Sequence, residues 1–172
     1  MKLILVFLFL LTLESYSDTK SNFISKVKNC SIDIQKDSSI DIFIPNNLII
    51  AQAIIESDWG RSRFAKKGNN FFGMRTWDPK RNQLKPLKNP NAKFGLIVYG
   101  SMCESVNDYI KNLNSSPKYH KLRNIRKLEI QLWDKVDAKV LARGLGNYSE
   151  ERSKYIKKII NQIKYLEINY SE

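Results

Sequence analysis

The chain has 172 residues, 42% of them hydrophobic, and carries 29 Lys and Arg against 17 Asp and Glu, a formal net charge of +12. That length fits one domain able to bury a core, and that charge calls for an anionic partner. Two cysteines and a single histidine, His120, leave a Cys/His metal site short of ligands and argue against a histidine-based triad, so no metal or cofactor is expected. Nor is nucleic acid, because no helix-turn-helix, RNP or zinc-finger pattern accompanies the charge.

Lys2 precedes an apolar run over residues 3–11, and small residues at Ser15 and Ser17 suit a cleavage site, so residues 1–17 read as a secretory signal peptide. The run is short for a membrane span, and an uncleaved signal anchor is the second reading. Export to the periplasm, cell envelope or medium makes an anionic envelope the partner that suits the charge. It also permits a bridge between Cys30 and Cys103, two buried free thiols being the other reading. Residues 18–44 form a leader packed on the domain, in which 31–34 and 40–42 alternate as short strands also would.

Pro45, Asn46 and Asn47 supply a helix start. Residues 48–55 have Gln52 as their only polar side chain, so a helix there is apolar on nearly every face and belongs in the middle of the domain. Its Ile pairs would also suit a strand, and length argues for helix. Glu56 emerges where the burial stops. Partial desolvation and the negative end of the helix dipole favour its protonated form, while Arg61 and Arg63 would oppose this if they folded back. The bland alternative is an exposed helix-end carboxylate. Trp59 and Phe64, which follow at once, are expected in the core.

From residue 73 to 99 the helical period is lost, and Asp78-Pro79, Lys85-Pro86 and Asn89-Pro90 mark turns. Extended pieces at 72–77 and 94–99 are expected to flank a loop as a small β-lobe. Ser101 and Glu104 then form a capping box ahead of Val106, Tyr109, Ile110 and Leu113 at helical spacing. Ser116-Pro117 opens a short basic helix whose Lys121, Arg123 and Arg126 read as a solvated face, with His120 on the surface. Gly144 and Gly146 are expected to close the helix containing Val136, Val140 and Leu141, and Ser149 to cap the last one. That last helix aligns Tyr155, Ile156, Ile159, Ile160, Ile163 and Leu166 on a packing face, with lysines largely outside.

Four ordered blocks carry a resemblance. They are Ala51-Gln52-Ala53, Glu56-Ser57-Asp58-Trp59-Gly60, Ser62-Arg63-Phe64-Ala65, Gly68-Asn69-Asn70 and Phe72-Gly73; Thr76-Trp77; Ser105-Val106 through Tyr109 and Asn112-Leu113-Asn114 to Tyr119; and Leu141-Ala142-Arg143-Gly144-Leu145 with Tyr148-Ser149-Glu150. Over about residues 45–166 the chain resembles the cell-wall glucosaminidases of glycoside hydrolase family 73, most closely their Bax-like branch. The resemblance implies a lysozyme-like α+β domain over residues 45–168, mainly helical with a buried central helix and a small β-lobe. It implies an endo-β-N-acetylglucosaminidase cutting peptidoglycan glycan strands, acting as a monomer. A muramidase, a lytic transglycosylase or an amidase on the same polymer is the enzymatic alternative, and a basic module that only binds an anionic polymer is the non-enzymatic one.

Glycoside cleavage needs a proton for the leaving oxygen and a group that attacks or stabilises the oxocarbenium-like centre. Glu56 is the donor. Asp78 is the only acid between Asp58 and Glu104 and is the candidate second carboxylate, although its place before Pro79 also makes it a turn former. Without a second acid, the substrate's own N-acetyl group can attack, with Tyr148, which matches the family tyrosine, as its clamp. Trp77, Phe72, Trp59 and Tyr99 offer faces for sugar rings, with Trp77 the best placed, and Asn69 and Asn70 offer amide hydrogen bonds.

Overall fold

A helix with one polar side chain over residues 48–55 has to lie at the centre, and α2 (Asn46–Ser57) does: Leu48, Ile49, Ile50, Ala51, Gln52, Ala53 and Ile54 are all buried. Each of its buried Leu and Ile side chains stabilises the fold by about 1.5–3 kcal/mol over an exposed position. The computed structural model describes the backbone of residues 2–170 and the side chains of residues 19–170. The segment read as a signal peptide, 1–17, lies outside the residues whose side chains are described. Among the described residues no helix is long and apolar enough to cross a membrane.

Around α2 pack α1 (Lys2–Gln35) and α7 (Ser153–Asn169), and α1 in turn meets α4 (Met102–Ser115). Residues 31–34 belong to the last turn of α1 and 40–42 to a turn, so the strand alternative is not adopted. Phe23, Ile24, Val27 and Cys30 bury one side of this helix. Its end is fixed by Gln35, whose side-chain amide donates to Ile44 O (3.0 Å) and accepts from Ile44 N (2.8 Å), as a strand partner would. Cys30 and Cys103 form a disulfide joining α1 to α4.

The β-lobe is a three-stranded antiparallel sheet in the order β1-β3-β2, with β1 (Arg75–Thr76), β2 (Gln83–Leu84) and β3 (Gly95–Ile97). Arg75 lies opposite Leu96, and Gln83 opposite Ile97. The middle-of-loop strand β2 is the addition to the two extended pieces expected. Together these elements make an α+β domain, mainly helical, with the sheet at one end.

Ser101 caps α4 by accepting from Glu104 N (3.2 Å), and Ser116 caps the 3-10 turn Pro117–Tyr119 that leads into α5 (His120–Trp133). His120 is exposed there. Three expectations for the second half give way to tertiary contacts. Arg126 is buried, not solvated, because it donates to Asn114 Oδ1 (2.7 Å) and Phe43 O (3.3 Å) between α4 and the end of the leader. Gly144 sits in the 3-10 turn Ala142–Leu145 that follows α6 (Ala138–Leu141), and serves close packing: a Cβ there would lie 2.3 Å from Leu122 Cα of α5. The Ser149 hydroxyl accepts from Glu151 N (3.3 Å), and α7 starts later, after Arg152, which has a left-handed φ of 43° and no side-chain cap.

Candidate active site

Glu56 is the next-to-last residue of α2, and the chain leaves the helix through three consecutive left-handed residues, Asp58 (φ 51°), Trp59 (φ 57°) and Gly60 (φ 76°). Two of these carry side chains in a region that L residues rarely adopt, so the turn stores backbone strain, a feature that clusters at functional sites. Ser57 holds it from inside, donating to Ala53 O (2.5 Å) and accepting from Gly60 N (2.8 Å). At Gly60 a Cβ would meet the Phe23 ring at 3.0 Å.

Gln52, the one polar side chain of residues 48–55, finds its partners on two other helices. Gln52 accepts from Tyr109 Oη of α4 and donates to Tyr155 Oη of α7 (2.8 Å), and Tyr155 donates to Glu56 Oε1 (2.7 Å). Because the Gln52 amide occupies the phenol oxygen, the phenol proton goes to Oε1, and a proton on the Glu56 carboxyl resides on Oε2. Oε2 faces Gly73, where a Cβ would stand 3.7 Å away. Burial pushes the Glu56 pKa above the ordinary carboxylate range, and the Tyr155 hydrogen bond works against that rise. The cations next in sequence are engaged elsewhere: Arg61 with Asp58 (2.6 Å) and Arg63 with Lys85 O (3.0 Å).

The carboxyl opens onto a cleft of about 1030 Å³. Met74, Arg75, Trp77, Phe94 and Leu96 of the β-lobe line one wall, and residues 146–152 with Lys118 and Tyr119 line the other. Tyr148 stands on this second wall, stacked on Tyr155 with centroids 5.5 Å apart and planes 2° from parallel. It donates to Phe72 O (2.6 Å), and Phe72 itself stacks on Tyr109 at 4.1 Å. Trp77 is 65% exposed and tilts against Phe94. Of the residues singled out from the sequence, the cleft brings together Glu56, Tyr148 and Trp77, while Phe72 only borders it: its ring is 1% exposed, stacked on Tyr109 in the core, and offers no face to a sugar.

Others do not line it. Asp78 is exposed and its Oδ1 accepts from Lys80 N (2.9 Å), the turn-forming role. Asn69 donates to Tyr99 O (3.0 Å), and Asn70, 2% exposed, donates to Met74 O and Ile97 O (2.9 Å each) while accepting from Met74 N (3.0 Å). These amides fasten α3 (Arg63–Gly68) to the β-lobe. The Tyr99 hydroxyl is taken by Asp108 Oδ2 (2.5 Å). Trp59 packs its edge on Phe23 (6.2 Å), whereas Phe64, expected in the core, lines the cleft half-buried.

Sequence reasoning passed over Tyr155, which looks like one more apolar position of α7. A signal was present: a buried phenol needs a hydrogen-bond partner, and so did the lone Gln52. It also left Glu150 as a motif residue, although the structure sets its exposed side chain in the cleft wall beside Glu151, which is held by Lys158 (2.5 Å).

A helical domain whose central helix delivers a carboxyl with raised proton affinity to a cleft beside a small sheet has the lysozyme-like architecture of glycoside hydrolase domains. The chain belongs to the glucosaminidase family, described as mannosyl-glycoprotein endo-beta-N-acetylglucosaminidase, whose model matches residues 33–168. It is 31% identical over 116 residues to Protein bax of Escherichia coli strain K12, covering 67% of this chain and 40% of that protein. With peptidoglycan hydrolase FlgJ of Vibrio cholerae it shares 27% over 113 residues, 59% of this chain and 33% of the relative, so it spans two fifths or less of these curated relatives. Its fold matches the glycoside hydrolase domain of Salmonella typhimurium FlgJ with a TM-score of 0.60 at 23% identity, covering 87% of this chain and 98% of that one.

Proposed function

We propose that the protein is an exported peptidoglycan hydrolase that cleaves the β-1,4 bond at N-acetylglucosamine, with Glu56 as general acid and residues 45–168 as its catalytic domain. The observation that carries this reading is the Glu56 carboxyl itself, biased towards its protonated form by burial and presenting Oε2 to a cleft of about 1030 Å³. Glu56 protonates the leaving glycosidic oxygen. The carbonyl oxygen of the substrate's acetamido group then attacks its own anomeric carbon, and water, deprotonated by the resulting Glu56 carboxylate, opens the cyclic intermediate and restores the acid. Tyr148 supports this assignment, because its proton is committed to Phe72 O and its remaining lone pair is free to accept the acetamido N–H. Trp77 is the platform for a sugar ring.

Mass spectrometry of digested sacculi tests the reading. N-acetylglucosamine at the new reducing end supports it; muramic acid at that end, an anhydro-sugar, or released peptides without glycan cleavage would reassign the enzyme as a muramidase, a transglycosylase or an amidase. Binding without any cleavage would leave the basic binding module.

Substrate assistance has its own expected result. Asp78→Asn and Glu150→Gln should each keep activity within about threefold of wild type, whereas Tyr148→Phe should lose roughly tenfold or more, and glycan stripped of its N-acetyl groups should resist. Near-complete inactivity of a folded Asp78→Asn or Glu150→Gln protein would put a protein carboxylate in place of the acetamide.

The pH dependence follows from Glu56. The acid acts only when protonated, and its pKa is raised, so kcat/KM should decline as pH rises through that raised value. Tyr155→Phe removes a hydrogen bond that favours the charged form, so its declining limb should move to higher pH, not lower. A pH–rate profile of the two proteins at constant salt reads this directly, and a limb that stays in place or moves down would show that Tyr155 does not act on the acid.

A further inference from the structure

Arg75 projects from β1 and Lys118 from the 3-10 turn before α5, and both line the cleft that holds Glu56. Among the described residues neither forms an ion pair with a carboxylate. The Arg75 guanidinium lies over the Phe94 ring (4.4 Å to the centroid), and Lys118 Nζ lies near the Tyr119 and Tyr148 rings (5.6 and 6.0 Å). Of the three acids on the same cleft, Glu151 is held by Lys158, Glu56 is bonded to Tyr155, and Glu150, exposed on the wall, forms no ion pair with either cation among the described residues. The two cations sense each other, since Lys118 loses proton affinity through burial and, second, through repulsion by Arg75. Holding like charges together on facing walls costs free energy that an anion between them would recover. Aromatic faces beside both cations fix their positions and leave their N–H groups for a ligand.

We propose that Arg75 and Lys118 form a carboxylate-binding subsite in the cleft, taking an acidic group that the glycan carries near the scissile bond. The proposal rests on the glycan-hydrolase reading above. Lys118 reaches the ring of Tyr148, which stacks on the Tyr155 that bonds Glu56, so the subsite shares the cleft with the acid. On peptidoglycan two sources present this chemistry: the carboxylates of the stem peptide, and the lactyl carboxylate exposed where the peptide has been removed.

The test compares wild type, Arg75→Met/Lys118→Met and, as a control for overall charge, Lys157→Met/Lys164→Met, whose lysines are exposed on α7 and do not line the cleft. Substrates are native sacculi, sacculi whose carboxylates are capped as neutral amides with carbodiimide and ethanolamine, and amidase-stripped glycan strands. On native sacculi the cleft variant should lose roughly tenfold or more in kcat/KM, mainly through KM, as loss of charge-assisted hydrogen bonds typically produces. Capping should lower the wild type by a similar factor and leave the cleft variant unmoved, while the control variant stays sensitive to capping. A defect that persists on stripped strands assigns the lactyl group, and one that disappears assigns the peptide. Co-sedimentation of the same proteins in a Glu56→Gln background reads binding without catalysis, so a failed activity assignment leaves the subsite testable. A cleft variant as sensitive to capping as wild type, or no weaker than the control on native sacculi, overturns the proposal.

Discussion

Glu56→Gln should fold as the wild type does and lose roughly 10²–10⁴-fold in the rate of glycan cleavage, the usual worth of a positioned general acid. Glutamine keeps the length of the side chain, and its Oε1 can still accept the Tyr155 hydroxyl, so the Gln52 to Tyr155 connection survives. What disappears is the proton on the oxygen that faces Gly73. The fold itself should be slightly favoured, because a buried carboxyl whose charged form is disfavoured is replaced by a neutral amide. Circular dichroism with a urea titration establishes the fold, and reducing-end release from sacculi measures the rate. Wild-type turnover by a correctly folded variant would remove Glu56 from the mechanism.

Much of this architecture was legible because the burial pattern of 48–55 is extreme: with one polar residue in eight, a helix can go only to the centre, and its end must then open to a surface. The cap at Ser101 and the 3-10 start at Ser116-Pro117 are local chemistry and were legible for that reason. The losses are long-range. Arg126 and Arg123 sit in a basic stretch that looks solvated, yet Arg126 is 3% exposed because α4 and the residues before α2 supply oxygen acceptors over 12 and 83 positions of sequence. Asn69 and Asn70, read as sugar ligands, satisfy backbone carbonyls of the β-lobe, a demand created only once the lobe forms. Tyr155 bonds Glu56 across 99 positions, a pairing that no local periodicity encodes. Β-strands of two or three residues likewise carry too little alternation for β2 to stand out.

Removing the disulfide, by Cys30→Ala/Cys103→Ala or by reductant, should lower unfolding free energy by about 4 kcal/mol. The bridge closes a loop with a sequence separation of 73, and the chain-entropy relation gives roughly that value for such a loop. Against a domain stability of about 5–15 kcal/mol this is a large share. In a chain of this size it corresponds to a fall in Tm of roughly 8–16 °C. The bridge ties α1, which covers one side of α2, to α4, which carries the Tyr109 that bonds Gln52. Opening it loosens the frame around the Glu56 network without touching the cleft, so loss of activity should follow thermal unfolding and kcat at low temperature should stay near wild type. Cys103 lies on the exposed side of α4, which gives reductant access. Dithiothreitol should therefore shift the melting curve of the wild type and leave that of the double alanine variant in place. A double variant within 1 kcal/mol of wild type in urea, a threshold set well below the chain-entropy value, would mean that the packing of Phe23, Ile24 and Val27 alone holds α1 on the domain.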